Sequence, residues 1–373
     1  MEERLLRTSR FSVGIDVMLT VAALYGLGPV SWLVGVLPLL SVLPTWLFLS
    51  ELIRRLVEWR LGRRRVAVGD DAVFITGCDS GFGNLLARRL ADRGYEVFAG
   101  CQRPDDANVE DLRLYSSRIC VVPIDVTSCE SVQRAKDTIL QKLNGRNLWA
   151  VVANAGIAQQ GPLEWTSMSE IEAVFNVNVF GVVRTLKAFL PLIRKSKGRV
   201  VVTSSLLATI SNPCVLHYSM SKAAIKNLVE GLQRELQPFG VYCSSVEPNY
   251  YATNILKVRT MDDYQEKYEA LDPELKKDYA GYMAMCKRYY RTTMNVLTSN
   301  KLEEPLSAFE HAVCSVRPRP YYTVDSALFC VCREVLKHLN IEVTDAIVYV
   351  TQYLGGLTKR FRGETNADDG HLH

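Results

Sequence analysis

A doubly wound α/β fold, a parallel sheet with helices on both faces preceded by an N-terminal transmembrane segment, is predicted by three features of the chain. Short apolar, β-branched runs alternate with amphipathic stretches of helical period from Ala72 to Glu247. A glycine-rich turn, Gly77-Cys78-Asp79-Ser80-Gly81-Phe82-Gly83, separates the first run from the first stretch. An apolar segment, Phe11 to Leu49, carries no charge except Asp16. Repeated strand-helix units demand a parallel sheet covered on both faces.

The apolar segment comes first. About 20 apolar residues cross a bilayer as a helix. The segment therefore suits one generous span, or two tight ones broken near Gly26-Leu27-Gly28-Pro29. Arg54, Arg55, Arg60, Arg63, Arg64 and Arg65 follow it, a denser block than Arg4, Arg7 and Arg10 before it. The positive-inside rule then leaves the rest of the chain in the cytosol. Residues 1–65 are expected to form this anchor and its basic flank. A buried helical hairpin is one alternative; a mitochondrial presequence is another, against which Glu2, Glu3 and the length of the run argue. A net charge of +4 over 373 residues gives no reason to expect nucleic acid as a partner. Ten cysteines without ligand spacing are expected to be reduced core thiols, with no metal.

The alternating region reads element by element. Ala72 to Thr76 is a first strand, and Asn84 to Arg93 a helix with Leu85, Leu86 and Leu90 on one face. Strand, glycine turn and helix in that order aim backbone N–H groups and a helix N-terminus at a pyrophosphate. Gly77 allows the tight turn, Gly81 the approach of phosphate, and Gly83 the packing of helix on strand. Strands follow at Tyr95 to Cys101, Ile119 to Ile124, Trp149 to Ala153, Arg199 to Thr203 and Val241 to Glu247. Helices run to Leu143, from Glu170 to Arg194, and from Tyr218 to about Gln237. Arg319 to Thr323 suits a last strand. Cofactor and substrate are expected to meet at the carboxyl ends of the strands.

Tyr218 and Lys222 lie four positions apart, on one face of their helix. An ammonium beside a phenol favours the phenolate, so this tyrosine is expected to exchange a proton near neutral pH. Ser205, just past the fifth strand, could hydrogen-bond the same substrate oxygen.

Thr76-Gly77-x-x-x-Gly81-x-Gly83, Asn154-Ala155-Gly156, Asn178, Ser205, Tyr218 and Lys222 resemble, in order and spacing, the short-chain dehydrogenase/reductases. The resemblance spans roughly residues 70 to 325. It implies a Rossmann-type sheet, NAD or NADP, and a catalytic tetrad of Asn178, Ser205, Tyr218 and Lys222. Tyr218 would be the acid/base, with Ser205 orienting the reacting oxygen. Lys222 would lower the Tyr218 pKa and bind the nicotinamide ribose, and Asn178 would hold a relay water. Implied cofactor contacts are Gly77, Ser80, Gly81, Phe82, Gly83, Cys101, Arg103, Asp125, Asn154, Ala155, Gly156, Tyr218, Lys222, Pro248 and Thr253. Val97-Phe98-Ala99-Gly100-Cys101 and Phe189 to Arg199 are similar to the branch holding retinol, hydroxysteroid and 3-hydroxybutyrate dehydrogenases. Two positions depart from the pattern: Ala153 replaces an asparagine, and Asn249 replaces the glycine after Pro248.

An acid at the end of strand two binds both ribose hydroxyls, whereas a base there pairs with a 2′-phosphate. Cys101 occupies that position, followed by Gln102 and Arg103, so the acid is missing; the branch resembled favours NAD, with NADP the alternative. Residues 254–317, rich in tyrosine, are expected to be a substrate lid, with Tyr250, Tyr251, Tyr264, Tyr268, Tyr279 and Tyr282 as aromatic walls. Residues 326–373 are expected to form a helical cap and a polar tail. The resemblance and the anchor together imply an alcohol dehydrogenase or ketoreductase for a lipophilic steroid or retinoid. Its expected site is the endoplasmic reticulum membrane facing the cytosol, or alternatively a mitochondrial membrane. Two other readings stand: a 3-hydroxybutyrate-type enzyme using Lys257 or Arg259 on a carboxylate, and a catalytically silent scaffold. A homodimer or homotetramer is the expected assembly.

Overall fold

The computed structural model describes residues 64–69, 71–253, 261–283, 298–325, 342–343 and 346. The chain divides into two units, Met1–Arg64 and Arg65–His373, and every element below belongs to the second. The apolar segment from Phe11 to Leu49, Lys257 and Arg259 of the lid, and nearly all of the expected cap lie outside the described residues.

Seven parallel strands form one sheet in the order β3-β2-β1-β4-β5-β6-β7. They are β1 (Ala72–Thr76), β2 (Glu96–Cys101), β3 (Ile119–Pro123), β4 (Leu148–Ala153), β5 (Arg199–Thr203), β6 (Tyr242–Pro248) and β7 (Tyr321–Val324). Side chains along a strand alternate between faces, and β1 shows why both faces must be covered. Val73 and Ile75 enter one core with Leu86, Leu90, Val109 and Leu112. Ala72 and Phe74 enter the other with Ile139, Phe189, Ile225 and Val229. The first core is roofed by α1 (Gly81–Asp92) and α2 (Ala107–Tyr115), the second by α3 (Cys129–Leu143) and helices that follow.

Between β4 and β5 runs one continuous helical rod. It comprises α4 (Met168–Phe175), a π turn over Asn176–Gly181, and α5 (Val182–Ser196). Ser167 and Glu170 form a capping box at its start, a reciprocal arrangement that satisfies two orphan amides. The rod is long and apolar enough to cross a bilayer by composition. Leu186, Phe189 and Ile193 instead bury it in the sheet's second core, so it is a core helix. After β5, α6 (Leu216–Leu236) carries Tyr218 and Lys222. Two short helices, α7 (Met261–Glu269) and α8 (Pro273–Asp278), follow β6, and α9 (Glu303–Cys314) precedes β7.

Two elements differ from expectation. The α2 helix was not anticipated: its sequence is short and polar, with only Val109 and Leu112 buried. The lid expected over 254–317 ends earlier, because α9 buries Leu306, Phe309, Ala312 and Val313 in the first core. That makes α9 the crossover helix between β6 and β7. Its polar side pairs Arg89 and Arg93 of α1 with the buried Glu310 at 2.5 and 2.7 Å.

Candidate active site

The strand order reverses direction between β1 and β4, and a cleft opens at the carboxyl ends there, as doubly wound sheets require. It has a volume of about 520 Å³ and runs from the glycine turn, past Asn154–Ile157, to Ser205, Tyr218, Lys222 and the loop after β6. All of the residues expected to meet a cofactor line it except Gly83 and Cys101.

At one end the turn after β1 delivers α1. Gly81 has φ +62°, and a Cβ on it would meet only Thr253 at 3.6 Å, so its backbone faces open cleft. Ser80 caps α1 without a side-chain hydrogen bond, leaving the first amides of the helix to a ligand. Gly83 is needed for a different reason. A Cβ there would stand 2.3 Å from the Gly77 carbonyl oxygen, so Gly83 sets the close approach of turn and helix and is not itself a wall. Asn154 braces the same turn, donating to the carbonyls of Thr76 and Gly77 at 3.0 and 3.2 Å. The Thr203 hydroxyl donates back to the Asn154 carbonyl oxygen at 3.1 Å, which ties β1, β4 and β5 together at their tips.

Cys101 does not reach the cleft. Its thiol is fully buried and points to the Ala99 carbonyl at 3.6 Å. Burial, with the Asp79 carboxylate next, pushes it up to about 12. What stands at the strand-two end is Asp79, from the glycine turn itself. Its carboxylate accepts from the Gln102 and Arg103 amides at 3.2 and 2.7 Å. The reading of the sequence missed this residue, although an acid between Gly77 and Gly81 was visible. Asp125 accepts from the Thr127 amide and hydroxyl at 2.8 and 2.7 Å. Its pKa lies below the usual carboxylate value: burial opposes the drop, while hydrogen bonds from Thr127 and Gln102 and the Arg184 charge carry it.

At the other end, Ser205 hydrogen-bonds the Tyr218 phenol and accepts from the Leu207 amide at 3.2 Å. The Lys222 ammonium donates to the Thr203 carbonyl at 2.8 Å and stands 5.6 Å from the centre of the Tyr218 ring. One expectation is reversed here. Burial pushes the Tyr218 phenol well above its ordinary value of 10, against the Ser205 hydrogen bond that lowers it and with nearby Tyr250 raising it. Burial likewise pulls Lys222 from 10.5 down to about 8. Desolvation disfavours the charged form of each.

Asn178 sits in the π turn, a distortion frequent at functional sites. It is fully buried behind the wall. Its side chain accepts from the Ile157 amide at 2.9 Å and donates to the Ile157 carbonyl at 2.9 Å and the Ser221 hydroxyl at 3.1 Å. It thereby holds the Gly156–Ile157 wall beside Lys222. The loop after β6 is fixed as firmly. Asn249 donates to Asp325 at 2.5 Å, the Tyr250 carbonyl accepts from the Ser299 amide at 2.9 Å, and the Tyr251 hydroxyl donates to Glu304 at 2.9 Å. Of the tyrosines expected as aromatic walls, Tyr250 and Tyr251 line the cleft. Tyr264, Tyr268, Tyr279 and Tyr282 pack instead around Trp165. Lys267 clamps this cluster to the first turn of α4, through Glu170 at 2.6 Å, and to the loop before it, through the Gln160 carbonyl at 3.2 Å.

The cleft fits a dinucleotide: open amides and a φ-positive glycine at one end, and the Tyr218 phenol beside Ser205 and Lys222 at the other. A site so divided, phosphate cradle at one end and Ser–Tyr–Lys at the other, defines a nicotinamide-dependent oxidoreductase working between alcohol and carbonyl. Comparison with known proteins agrees. The family description "short chain dehydrogenase" matches residues 71–263. Rat (Rattus norvegicus) retinol dehydrogenase 7 is 34% identical over 314 residues, covering 82% of this chain and 96% of that one. Mouse (Mus musculus) mitochondrial D-beta-hydroxybutyrate dehydrogenase is 34% identical over 289 residues, covering 75% and 84%. Human (Homo sapiens) 17-beta-hydroxysteroid dehydrogenase type 6 is 33% identical over 317 residues, covering 81% and 96%. A short-chain dehydrogenase/reductase from Burkholderia phymatum, solved with NAD, superposes with a TM-score of 0.59 at 25% identity over 74% of this chain and 95% of that one. The chain belongs to the short-chain dehydrogenase/reductase family.

Proposed function

We propose that this chain is a membrane-anchored, NAD-preferring dehydrogenase that interconverts an alcohol and a carbonyl on a lipophilic substrate of steroid or retinoid type. The observation that carries the reading is the substrate end of the cleft. Ile157, Ala158, Leu207, Val215, Tyr250 and Tyr251 make it apolar and aromatic. Among the described residues at that end the cation is Lys222, which is committed to Thr203, while Lys257 and Arg259 lie outside the described residues. A small hydroxy acid needs a cation to hold its carboxylate; a sterol or retinol needs apolar walls with few polar groups. The names of the retinol and hydroxysteroid relatives support the same class. The apolar N-terminal segment resembles that of 17β-hydroxysteroid dehydrogenase type 2 and supports the anchor, in the endoplasmic reticulum membrane with the catalytic unit toward the cytosol. Exposed Met168, Phe180 and Met220 on the α4–α6 elements support assembly as a homodimer or homotetramer.

The bound dinucleotide supplies the hydride acceptor or donor. Tyr218 handles the proton: its protonated phenol gives it to a carbonyl oxygen, and its phenolate takes it from an alcohol. Ser205 donates a hydrogen bond to the same oxygen, stabilising charge that develops there. Lys222, close under the Tyr218 ring, favours the phenolate when it carries its own proton.

The test follows NADH absorbance with the detergent-solubilised full-length chain, offering retinol, a panel of hydroxysteroids and 3-hydroxybutyrate with NAD or NADP. Turnover of retinol or a steroid, lost by about 100-fold or more in Tyr218→Phe while NADH still binds, is the expected result. Turnover of hydroxybutyrate alone would overturn the lipophilic reading. Nucleotide binding without turnover of anything would favour the scaffold.

A further inference from the structure

We infer that Asp79, on the glycine turn, is the residue that selects NAD over NADP. This rests on the cleft being the dinucleotide site with an NAD preference. In a doubly wound fold the adenosine ribose lies at the tip of strand two, where a carboxylate binds its hydroxyls and repels a 2′-phosphate. Strand two supplies no carboxylate here. Cys101 is buried and turned to its own strand, and Gln102 hydrogen-bonds Asp125 through its side chain. The Arg103 guanidinium, 71% exposed, lies 3.8 Å from Asp106.

Asp79 fills the place from the other side. Its two carboxylate oxygens accept one amide each, from Arg103 at 2.7 Å and Gln102 at 3.2 Å. The two bonds hold the carboxylate against the tip of β2, on the wall of the cleft beside Ser80, Gly81 and Arg103. A carboxylate has about four acceptor sites, so each oxygen retains one for a ribose hydroxyl. The same charge meets a 2′-phosphate at short range, where like charges at a partly exposed site repel strongly. The amide bonds also turn the Arg103 backbone toward Asp79, while its side chain extends to Asp106. The guanidinium is thereby directed toward the Asp106 carboxylate, while only the Arg103 amide meets Asp79.

The experiment titrates NADH and NADPH into the solubilised full-length chain and reads dissociation constants from nucleotide fluorescence, with no turnover required. Wild type is expected to bind NADH more tightly. Asp79→Asn, which keeps an acceptor for the Arg103 amide, is expected to weaken NADH and tighten NADPH, changing their ratio on the order of 100-fold. Asp79→Glu is expected to retain the preference. A merely structural Asp79 would loosen both nucleotides alike; an unchanged ratio in Asp79→Asn therefore overturns the assignment while leaving the NAD reading intact. Wild-type preference for NADPH overturns both. Failure to bind either nucleotide overturns the reading of the cleft itself.

Discussion

Lys222 is buried, with 3% of its surface exposed, and the chain keeps it at a cost that can be measured. Folding lowers its pKa from 10.5 to about 8 through burial. Above pH 10.5 the amine is neutral in both folded and unfolded chains, and no cost arises. As pH falls below 10.5 the unfolded chain takes up a proton that the folded one refuses, so stability is lost. Below pH 8 both forms are protonated and the loss is complete. The gap corresponds to about 3 kcal/mol, at roughly 1.4 kcal/mol per pH unit. Replacing Lys222 by Met removes the titration. The variant also loses the bond to Thr203, whose pH-dependent part acts through the folded-state pKa of Lys222 and whose remainder is a constant offset. Urea unfolding of wild type and Lys222→Met without nucleotide, followed by tryptophan fluorescence from pH 7 to 11, isolates the effect. The variant's stability relative to wild type should rise by about 3 kcal/mol between pH 11 and pH 7. The competing influence is the 2.8 Å bond to Thr203, which favours the charged amine. A flat difference would refute the dominance of burial, and a fall toward pH 7 would show that the hydrogen bond wins.

Two further outcomes follow from the site. Gly83→Ala places a methyl group 2.3 Å from the Gly77 oxygen and 2.9 Å from its carbonyl carbon; because both neighbours are backbone, the phosphate turn must move. A loss of about 1–3 kcal/mol in urea stability, with NADH binding abolished in a fluorescence titration, is the expected result. Ser205→Ala should lower kcat by about 100- to 1000-fold and leave the dissociation constant for NADH unchanged, because Ser205 meets the reacting oxygen and not the nucleotide; a lost nucleotide affinity would assign it a structural role.

Much of this was legible in the chain because the signals are local. Each strand is a short β-branched run, each major helix an amphipathic stretch, and Gly77, Gly81 and Gly83 announce the phosphate turn through spacing alone. Ser205, Tyr218 and Lys222 were readable for the same reason, since a helix face brings positions 218 and 222 together without outside help. The misses all involve contacts between distant segments. Cys101 holds the position where family members carry an acid, yet its burial removes it from the cleft. Asp79 takes over because the turn after β1 meets the tip of β2. The stretch expected to be lid contains α9, whose apolar residues needed the first core before they could be recognised as packing. Four tyrosines counted as cleft walls cluster on Trp165 instead, a choice that composition cannot make.

The sequence by itself determined the doubly wound sheet and the order of its strands, and it set Tyr218 and Lys222 on one helix face, because backbone propensity and periodicity act over a few residues. The tertiary structure alone decided the electrostatics. Whether Tyr218 and Lys222 sit above or below their ordinary pKa depends on how much water burial removes, and which acid faces the ribose depends on where two loops 23 residues apart come into contact. Both are properties of packed neighbours, and no residue carries them in isolation.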